Sequence, residues 1–395
     1  MSASGSRNDA QSLKAFVALA GQAAWRRRLS HIGEKVQARS HTGRAAQQRH
    51  ALELILARLD RPEMLARATE AERRLLGFAH EAAALAKSLG TGPRARLKTL
   101  IAEGLSGEKN LVPVFHLVRT AATLRARGFE VSFHGLEGEG YDLLIRRGGA
   151  EAEVVCETVS AEEGRPLHKG DWATLVDRVN PELQTWLAAH PGRYVLKLTL
   201  PEGVSDKTQL ADLHGRISAM LAAERRQDAS ADAVLKLDPL LLAGAQAAGA
   251  LPARLRQAFG VEAHLAVTAD PASGSVMVMA ARAGRENEIS QAVHRRMAVA
   301  AGSRLSGRRP GILSAFLEDL EAAEWSSLRD TLQLEGSMRR FLTEAVARPV
   351  VAVTCTTRQE FFGVGAAVPD GELRFRNPGH PAAKHVGLGP AISSN

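Results

Sequence analysis

The chain has 395 residues, of which 45% are apolar and 24% charged, with two cysteines and a formal net charge of +8. These figures exclude a disordered chain, a collagen-like fibre and a small disulfide scaffold, and two cysteines are too few for a multi-cysteine zinc site. No stretch is long and apolar enough for a transmembrane helix, and the first residues lack a secretory apolar core, so a cytoplasmic protein with Cys156 and Cys355 as buried thiols is expected.

The charge is uneven. Residues 1–50 carry nine Lys and Arg against two acids, residues 51–110 carry ten against eight, and the rest sum to −1. A basic N-terminal region suits an anionic partner such as DNA, RNA or a lipid surface. A solvated, arginine-rich helix face is the structural alternative.

Residues 1–10 are small and polar and predict a disordered start. From 11 to about 105 the pattern is helical, with helices expected over 11–37, 44–59, 63–89 and 94–103, and a break at Gly90-Thr91-Gly92-Pro93. This segment reads as a basic helical domain. Its cations Arg26, Arg27, Arg28 and Lys35 are candidate phosphate contacts, and its apolar stripe would also suit docking of a protein partner. From 110 to 363 the pattern is mixed. A helix ends at Gly128, strands follow over 129–135, 141–147 and 151–159, then a helix over 171–190 and a fourth strand over 193–200. Further on come a helix over 207–226, a strand over 233–241, a hairpin of 264–270 with 275–283, and a helix over 285–302. The last elements are a strand over 311–320, a helix over 322–346 and a strand over 349–357. Residues 364–395 read as an irregular tail. The fold class is α/β in the broad sense, an α+β mixed sheet with helices on both faces. A dinucleotide-binding fold is excluded because no glycine-rich turn joins the first strand to a helix.

The strongest chemical signal lies in the 141–159 hairpin. With Gly148-Gly149 as its turn, Asp142 falls opposite Val155, and Glu157 shares the face of Val155, one diagonal step from Asp142. Two carboxylates so placed share a divalent cation, which polarises a phosphodiester and activates water. A slip of one residue would separate them. Glu151 and Glu153 share the parity of Glu157 and extend the acidic face.

Helix, strand, and an Asp–hairpin–Glu pair in an apolar run, then helix and strand, resembles the PD-(D/E)XK nuclease superfamily over about 111–200. Tyr141-Asp142 stands for its Pro-Asp element and Glu157-Thr158-Val159 for its Glu-X-Lys element. The resemblance implies a restriction-endonuclease-like core, a Mg²⁺ held by Asp142 and Glu157, and cleavage of nucleic acid. Val159 replaces the expected lysine, and Val114-Phe115-His116-Leu117-Val118 puts no acid on the preceding helix. Lys197 in the fourth strand, or Lys169, is the expected substitute cation. A decayed site in a nucleic-acid-binding or assembly module is the alternative.

Arg295, Arg296, Arg304, Arg308 and Arg309 cluster near the end of the 285–302 helix, where they hold phosphates or complement the helix dipole. His116 reads as a packed histidine, and His380 and His385 lack metal-ligating neighbours. No Walker loop, G-x-S-x-G or H-E-x-x-H is present.

Overall fold

The computed structural model describes residues 3–36, 40–204, 206–241, 251–270, 272–358 and 372–393. Several predicted helices are split at residues that leave helical geometry. Gly21, at φ 87°, separates α1 (Ala3–Ala20) from α2 (Gln22–Val36), because only glycine enters that region without a Cβ clash. The segment read as 44–59 is α3 (His41–Arg49) and α4 (Ala51–Leu59), and 63–89 is α5 (Pro62–Ala66) and α6 (Glu70–Ser88). At the start of α6, Thr69 accepts from the Glu72 amide while Glu72 accepts from the Thr69 amide, a reciprocal cap. Next come α7 (Thr91–Gly104) and α8 (Val112–Ala126). Helix α1 begins at Ala3, well inside the start that composition marks as disordered.

Strands β1 (Glu130–Ser132), β2 (Leu143–Arg147) and β3 (Ala150–Ser160) follow as an antiparallel meander. Gly148 and Gly149, at φ 55° and 77°, make the two-residue turn between β2 and β3. Beyond β3 come α9 (Lys169–Ala189), β4 (Arg193–Leu200), α10 (Lys207–Ala222), β5 (Gln227–Ala229) and β6 (Val234–Pro239). Then α11 (Leu251–Phe259) precedes the hairpin of β7 (His264–Asp270) and β8 (Ser275–Ala283). The chain continues through α12 (Ile289–Arg304), β9 (Gly311–Glu318), α13 (Ala322–Asp330), α14 (Gln333–Phe341) and β10 (Val350–Thr357). It closes with β11 (Leu373–Arg376) and α15 (Gly389–Ile392). The expected boundary at 363–364 lies outside the described residues. The described part of the tail is more regular than its composition suggests, since β11 pairs with β10.

Two mixed sheets result. One has the order β1-β2-β3-β9-β10-β11 and the other β5-β6-β4-β8-β7. The chain divides into two compact units. The first comprises residues 1–34, 47–161 and 290–395, and the second residues 35–46 and 162–289. The division differs from a boundary near 105–110, because the N-terminal helices and the six-stranded sheet share one core. Phe16 of α1, Phe78 of α6, Phe115 of α8 and Phe316 of β9 form a continuous edge-to-face chain with centroid separations of 5.3, 5.4 and 6.1 Å. Val154, Ile312 and Val351 join the same core from the sheet.

The second unit has its own core. Val176, Leu183, Leu187, Ile217 and Met220 of α9 and α10 pack with Leu196 and Leu198 of β4. Leu255 of α11 packs with Val195, Val278 and Ala280. The strand over 193–200 therefore belongs to this second sheet. The strand that adjoins β3 is β9, parallel to it with Glu157 beside Ala315 and Ser160 beside Glu318.

Candidate active site

The β2–β3 register sets the geometry. Leu143 pairs with Val154 and Arg147 with Ala150, so one further step places Asp142 opposite Val155. Asp142 and Glu157 then share a face one diagonal apart. The Cys156 amide donates to Asp142 Oδ2 at 2.7 Å, fixing that carboxylate against β3. Their side chains are only 18% and 17% exposed.

The cation between them is Arg304, the last residue of α12. Its Nη2 donates to Asp142 Oδ1 at 2.7 Å, and its Nη1 donates to Glu157 Oε1 at 2.7 Å and to the Cys156 carbonyl at 3.3 Å. Its Nε donates to the Gly140 carbonyl at 3.0 Å. Planar, multi-donor geometry suits a guanidinium to this task better than an ammonium. Burial raises the Asp142 pKa, and Arg304 opposes that rise. Burial works against the charge on Arg304, yet the two carboxylates hold its pKa above the ordinary value.

The acidic face continues in the same manner. Glu153 is fully buried and accepts from the Ser306 amide at 2.9 Å and from the Ser306 hydroxyl. Glu151 accepts from Arg146 Nε at 2.6 Å and Arg309 Nε at 2.8 Å. The 304–309 stretch thus meets each acid of the strip. Of the arginine cluster read from sequence, Arg304 and Arg309 are engaged in these pairs. Arg295 is exposed and Arg296 half-buried on α12.

A cavity of about 450 Å³ opens at this cluster, lined by Asp142, Cys156, Arg304, Glu318, Asn110 and Lys109 among others. Glu318 ends β9. Its carboxyl accepts from Asn110 Nδ2 at 2.9 Å, and Asn110 Oδ1 in turn caps the first turn of α8 at the Val112 amide. Burial, reinforced by the neighbouring Asp319 carboxylate, raises the Glu318 pKa to about 7. Glu318 was not singled out from sequence. The signal for it is an acid closing a buried apolar run, Gly311–Glu318, as Glu157 nearly does in β3.

The other expected residues fall elsewhere. Lys197 lies in β4 of the second unit, where its Nζ pairs with Asp238 Oδ2 at 2.9 Å. Lys169 opens α9 in the same unit, its amide donating to Glu162 Oε2 at 2.8 Å. Arg26 and Arg27 are exposed on α2, and Lys35 near its end is half-buried. Arg28 is a correction to the phosphate-contact set. It is 3% exposed, and its guanidinium donates to the carbonyls of Gly107 and Lys109 and meets His50 Nδ1 at 3.1 Å. Trp25, Arg28 and Ile32 form the inward stripe of α2, so the helix turns Arg28 away from solvent. His116 is buried, with its Nε2 against the Ser314 carbonyl at 2.8 Å, and burial lowers its pKa to about 4. It is therefore neutral near pH 7 and donates from that nitrogen.

Asp142 Oδ1, Glu157 Oε1 and the Cys156 carbonyl converge on one cationic group. Three oxygens of this kind are hard donors that fit Mg²⁺ or Mn²⁺. No protein-family model, no curated protein and no solved structure matches this chain.

Proposed function

We propose that the chain is a divergent member of the PD-(D/E)XK class, acting on nucleic acid by metal-dependent phosphodiester hydrolysis. The observation that carries this reading is the convergence of Asp142, Glu157 and the Cys156 carbonyl on the guanidinium of Arg304. The strand order supports it too. An antiparallel meander β1-β2-β3 is followed, in the same sheet, by the parallel strands β9 and β10. On this reading residues 162–289 are inserted between the two halves of a restriction-endonuclease-like core.

The metal, held by Asp142 and Glu157, would supply Lewis-acid polarisation of the phosphoryl oxygen and an activated water. Arg304 replaces the lysine that Val159 displaces. Were the carboxylates to hold a divalent cation, its guanidinium would be free to hold the non-bridging oxygens of the phosphoryl group and would offset the negative charge that grows on them. Cys156 keeps Asp142 oriented through its amide. Arg26 and Arg27 bind the nucleic-acid backbone through phosphates, without reading bases.

A second reading has one specific observation behind it. The Arg304 bridge is continuous with the Ser306–Glu153 and Arg309–Glu151 contacts. Such a row also suits a structural clasp, in which a decayed site leaves a binding module. Cleavage of plasmid, single-stranded DNA and RNA with Mg²⁺ or Mn²⁺ separates the two. The nuclease reading predicts metal-dependent cutting that is lost in Asp142→Asn/Glu157→Gln. Absence of cutting overturns it in favour of the binding module, and cutting that survives in the double variant overturns the assignment of Asp142 and Glu157.

A further inference from the structure

The five-stranded sheet has two unlike faces. Leu196 and Leu198 of β4, Leu235 and Leu237 of β6, and Met277 and Met279 of β8 are buried in the core with α9 and α10. The alternate residues make the other face, as the two-residue period of strands requires. Helix α11 covers only part of it, through Leu255 packed with Val195, Val278 and Ala280. Beyond α11 the face is open: Thr199, Lys236 and Arg282 are exposed and Lys197 is half-buried.

The open part is basic. Lys197 and Lys236 stand directly opposite each other in the antiparallel β4–β6 register. Arg282 stands beside Thr199 in the parallel β4–β8 register. Among the described strand residues of this face, Asp238 is the one acid, and its Oδ2 accepts from Lys197 Nζ at 2.9 Å. Lys236 and Arg282 have no acid partner among the described residues. Like charges directly opposite on paired strands destabilise a sheet, so the Lys197–Lys236 pair works against folding. Lysines that keep a sheet from pairing with another chain belong on its edge strands. Here β6, β4 and β8 are the three inner strands, so edge protection does not account for these cations.

We propose that this open face, at Lys197, Lys236 and Arg282, binds the phosphate backbone of a single nucleic-acid strand. The choice of nucleic acid as the polyanion rests on the proposed function, whereas the surface itself uses none of the residues of the acid pair. The cations lie on three adjacent strands spaced about 4.8 Å apart, a row that crosses the sheet. Gln227, opposite Lys236 on β5, and Thr199 add neutral hydrogen-bonding groups to it. Helix α11, about 10 Å thick, walls one side and leaves a shelf on which one strand can lie flat. Among the described strand residues no aromatic side chain lies on this face, so the contacts follow phosphates and do not stack bases. The same lack disfavours a lipid surface, where basic faces are accompanied by large apolar anchors.

The test is fluorescence anisotropy of a labelled single-stranded oligonucleotide with the full chain, in EDTA over a salt series. Lys236→Gln/Arg282→Gln is expected to weaken binding about tenfold and to lower the slope of log K against log salt by about 1.4, the value for two phosphate contacts of a single strand. Lys236→Arg/Arg282→Lys keeps both charges and should keep the slope. Arg178→Gln/Lys207→Gln removes two exposed charges from α9 and α10, which pack on the opposite face, and should leave the slope nearly unchanged. In urea at low salt, Lys236→Gln should unfold at a higher midpoint than wild type, because the opposed charge is gone; a lower midpoint marks a structural lysine and overturns the proposal. Equal slopes in the Lys236/Arg282 and Arg178/Lys207 variants overturn it, as does a wild-type chain that does not bind the oligonucleotide. A loss of binding seen only with duplex DNA or only with phosphatidylserine vesicles overturns the assignment of a single strand. Cleavage is measured separately with Mg²⁺: a chain that binds through this face and does not cut keeps this proposal and loses the nuclease reading. A chain that cuts, and whose Lys236→Gln/Arg282→Gln variant binds as wild type does, loses this proposal alone.

Discussion

Arg304 Nη2 lies 2.7 Å from Asp142 Oδ1, although 162 positions of chain separate the two residues. The contact is short because α12 ends against the turn that precedes β2. A Cβ built on Gly140 would lie 2.8 Å from the Arg304 carbonyl oxygen. Gly140→Ala is therefore expected to push the end of α12 outward, at a cost of about 1–3 kcal/mol in urea unfolding. Gly77, exposed within α6, has no neighbour within 4 Å of such a Cβ. Gly77→Ala should instead stabilise by about 0.5–1 kcal/mol. Equal effects at the two sites would contradict the close packing.

Arg28 tests how the N-terminal helices are held. Glu53 is fully buried, with the guanidinium of Arg28 at 3.8 Å and the ring nitrogen His50 Nδ1 at 3.7 Å from its Oε1. Removing Arg28 leaves that carboxylate without its strongest charge partner. Arg28→Ala is expected to cost about 3–5 kcal/mol, whereas Arg28→Met/Glu53→Leu should recover most of the loss. Denaturant titration of wild type, Arg28→Met, Glu53→Leu and Arg28→Met/Glu53→Leu measures the coupling. A double variant less stable than Arg28→Ala would show that packing, not charge, sets the cost.

Nucleic-acid affinity should depend on Arg26 and Arg27 through phosphate contacts. Each alanine substitution is expected to weaken binding about equally for different sequences and to lower the slope of log K against log salt by about 1. Fluorescence anisotropy over a salt series measures both quantities. Unchanged slopes would place the nucleic-acid surface elsewhere, or point to apolar docking of a protein partner by these helices.

The pH dependence of stability isolates Glu318. Its folded pKa of about 7 exceeds the unfolded value near 4.5, so between these values the folded chain binds more protons. The group's contribution is greatest below about 4.5 and is lost as pH rises through about 7. The displacement corresponds to on the order of 3 kcal/mol. His116 runs the other way. Its pKa falls from 6.5 to about 4, so its neutral, buried form costs stability as pH falls below 6.5. The wild-type curve mixes the two, and the difference from Glu318→Gln separates them. That difference should move by a few kcal/mol against wild type as pH rises from 4 to 8; one independent of pH would contradict the burial of this carboxyl.

Much of the carboxylate pair was legible in the sequence, and the cation was not. A two-glycine turn and the two-residue period of strands suffice to set Asp142 diagonal to Glu157, because both are local rules. The alternation of Lys197 with Leu196 and Leu198 marks it as a lysine on one face of the fourth strand, and consecutive strands usually adjoin. Here residues 162–289 build a separate core, and the neighbour of β3 comes from 311–318. Arg304 stood in a visible arginine cluster, but no local pattern names its partner across so long a stretch of chain. The same limit applies to Glu318, which meets the cavity only once β9 has paired with β3. Arg28 differs from Arg26 and Arg27 by its phase alone. The spacing of Trp25, Arg28 and Ile32 marks the buried stripe, yet a basic run draws attention to charge before periodicity.

The most direct test of the central claim, that Asp142, Glu157 and the Cys156 carbonyl form a divalent-cation site, is a Mn²⁺ titration followed by electron paramagnetic resonance. It compares wild type, Arg304→Gln and Arg304→Gln/Asp142→Asn. With the competing guanidinium gone, Arg304→Gln should bind one Mn²⁺ about tenfold more tightly than wild type, the factor that about 1.4 kcal/mol of ion pairing represents. The added Asp142→Asn change should abolish that binding. Equal affinity in all three proteins would contradict the claim and leave the Arg304 bridge as a structural clasp.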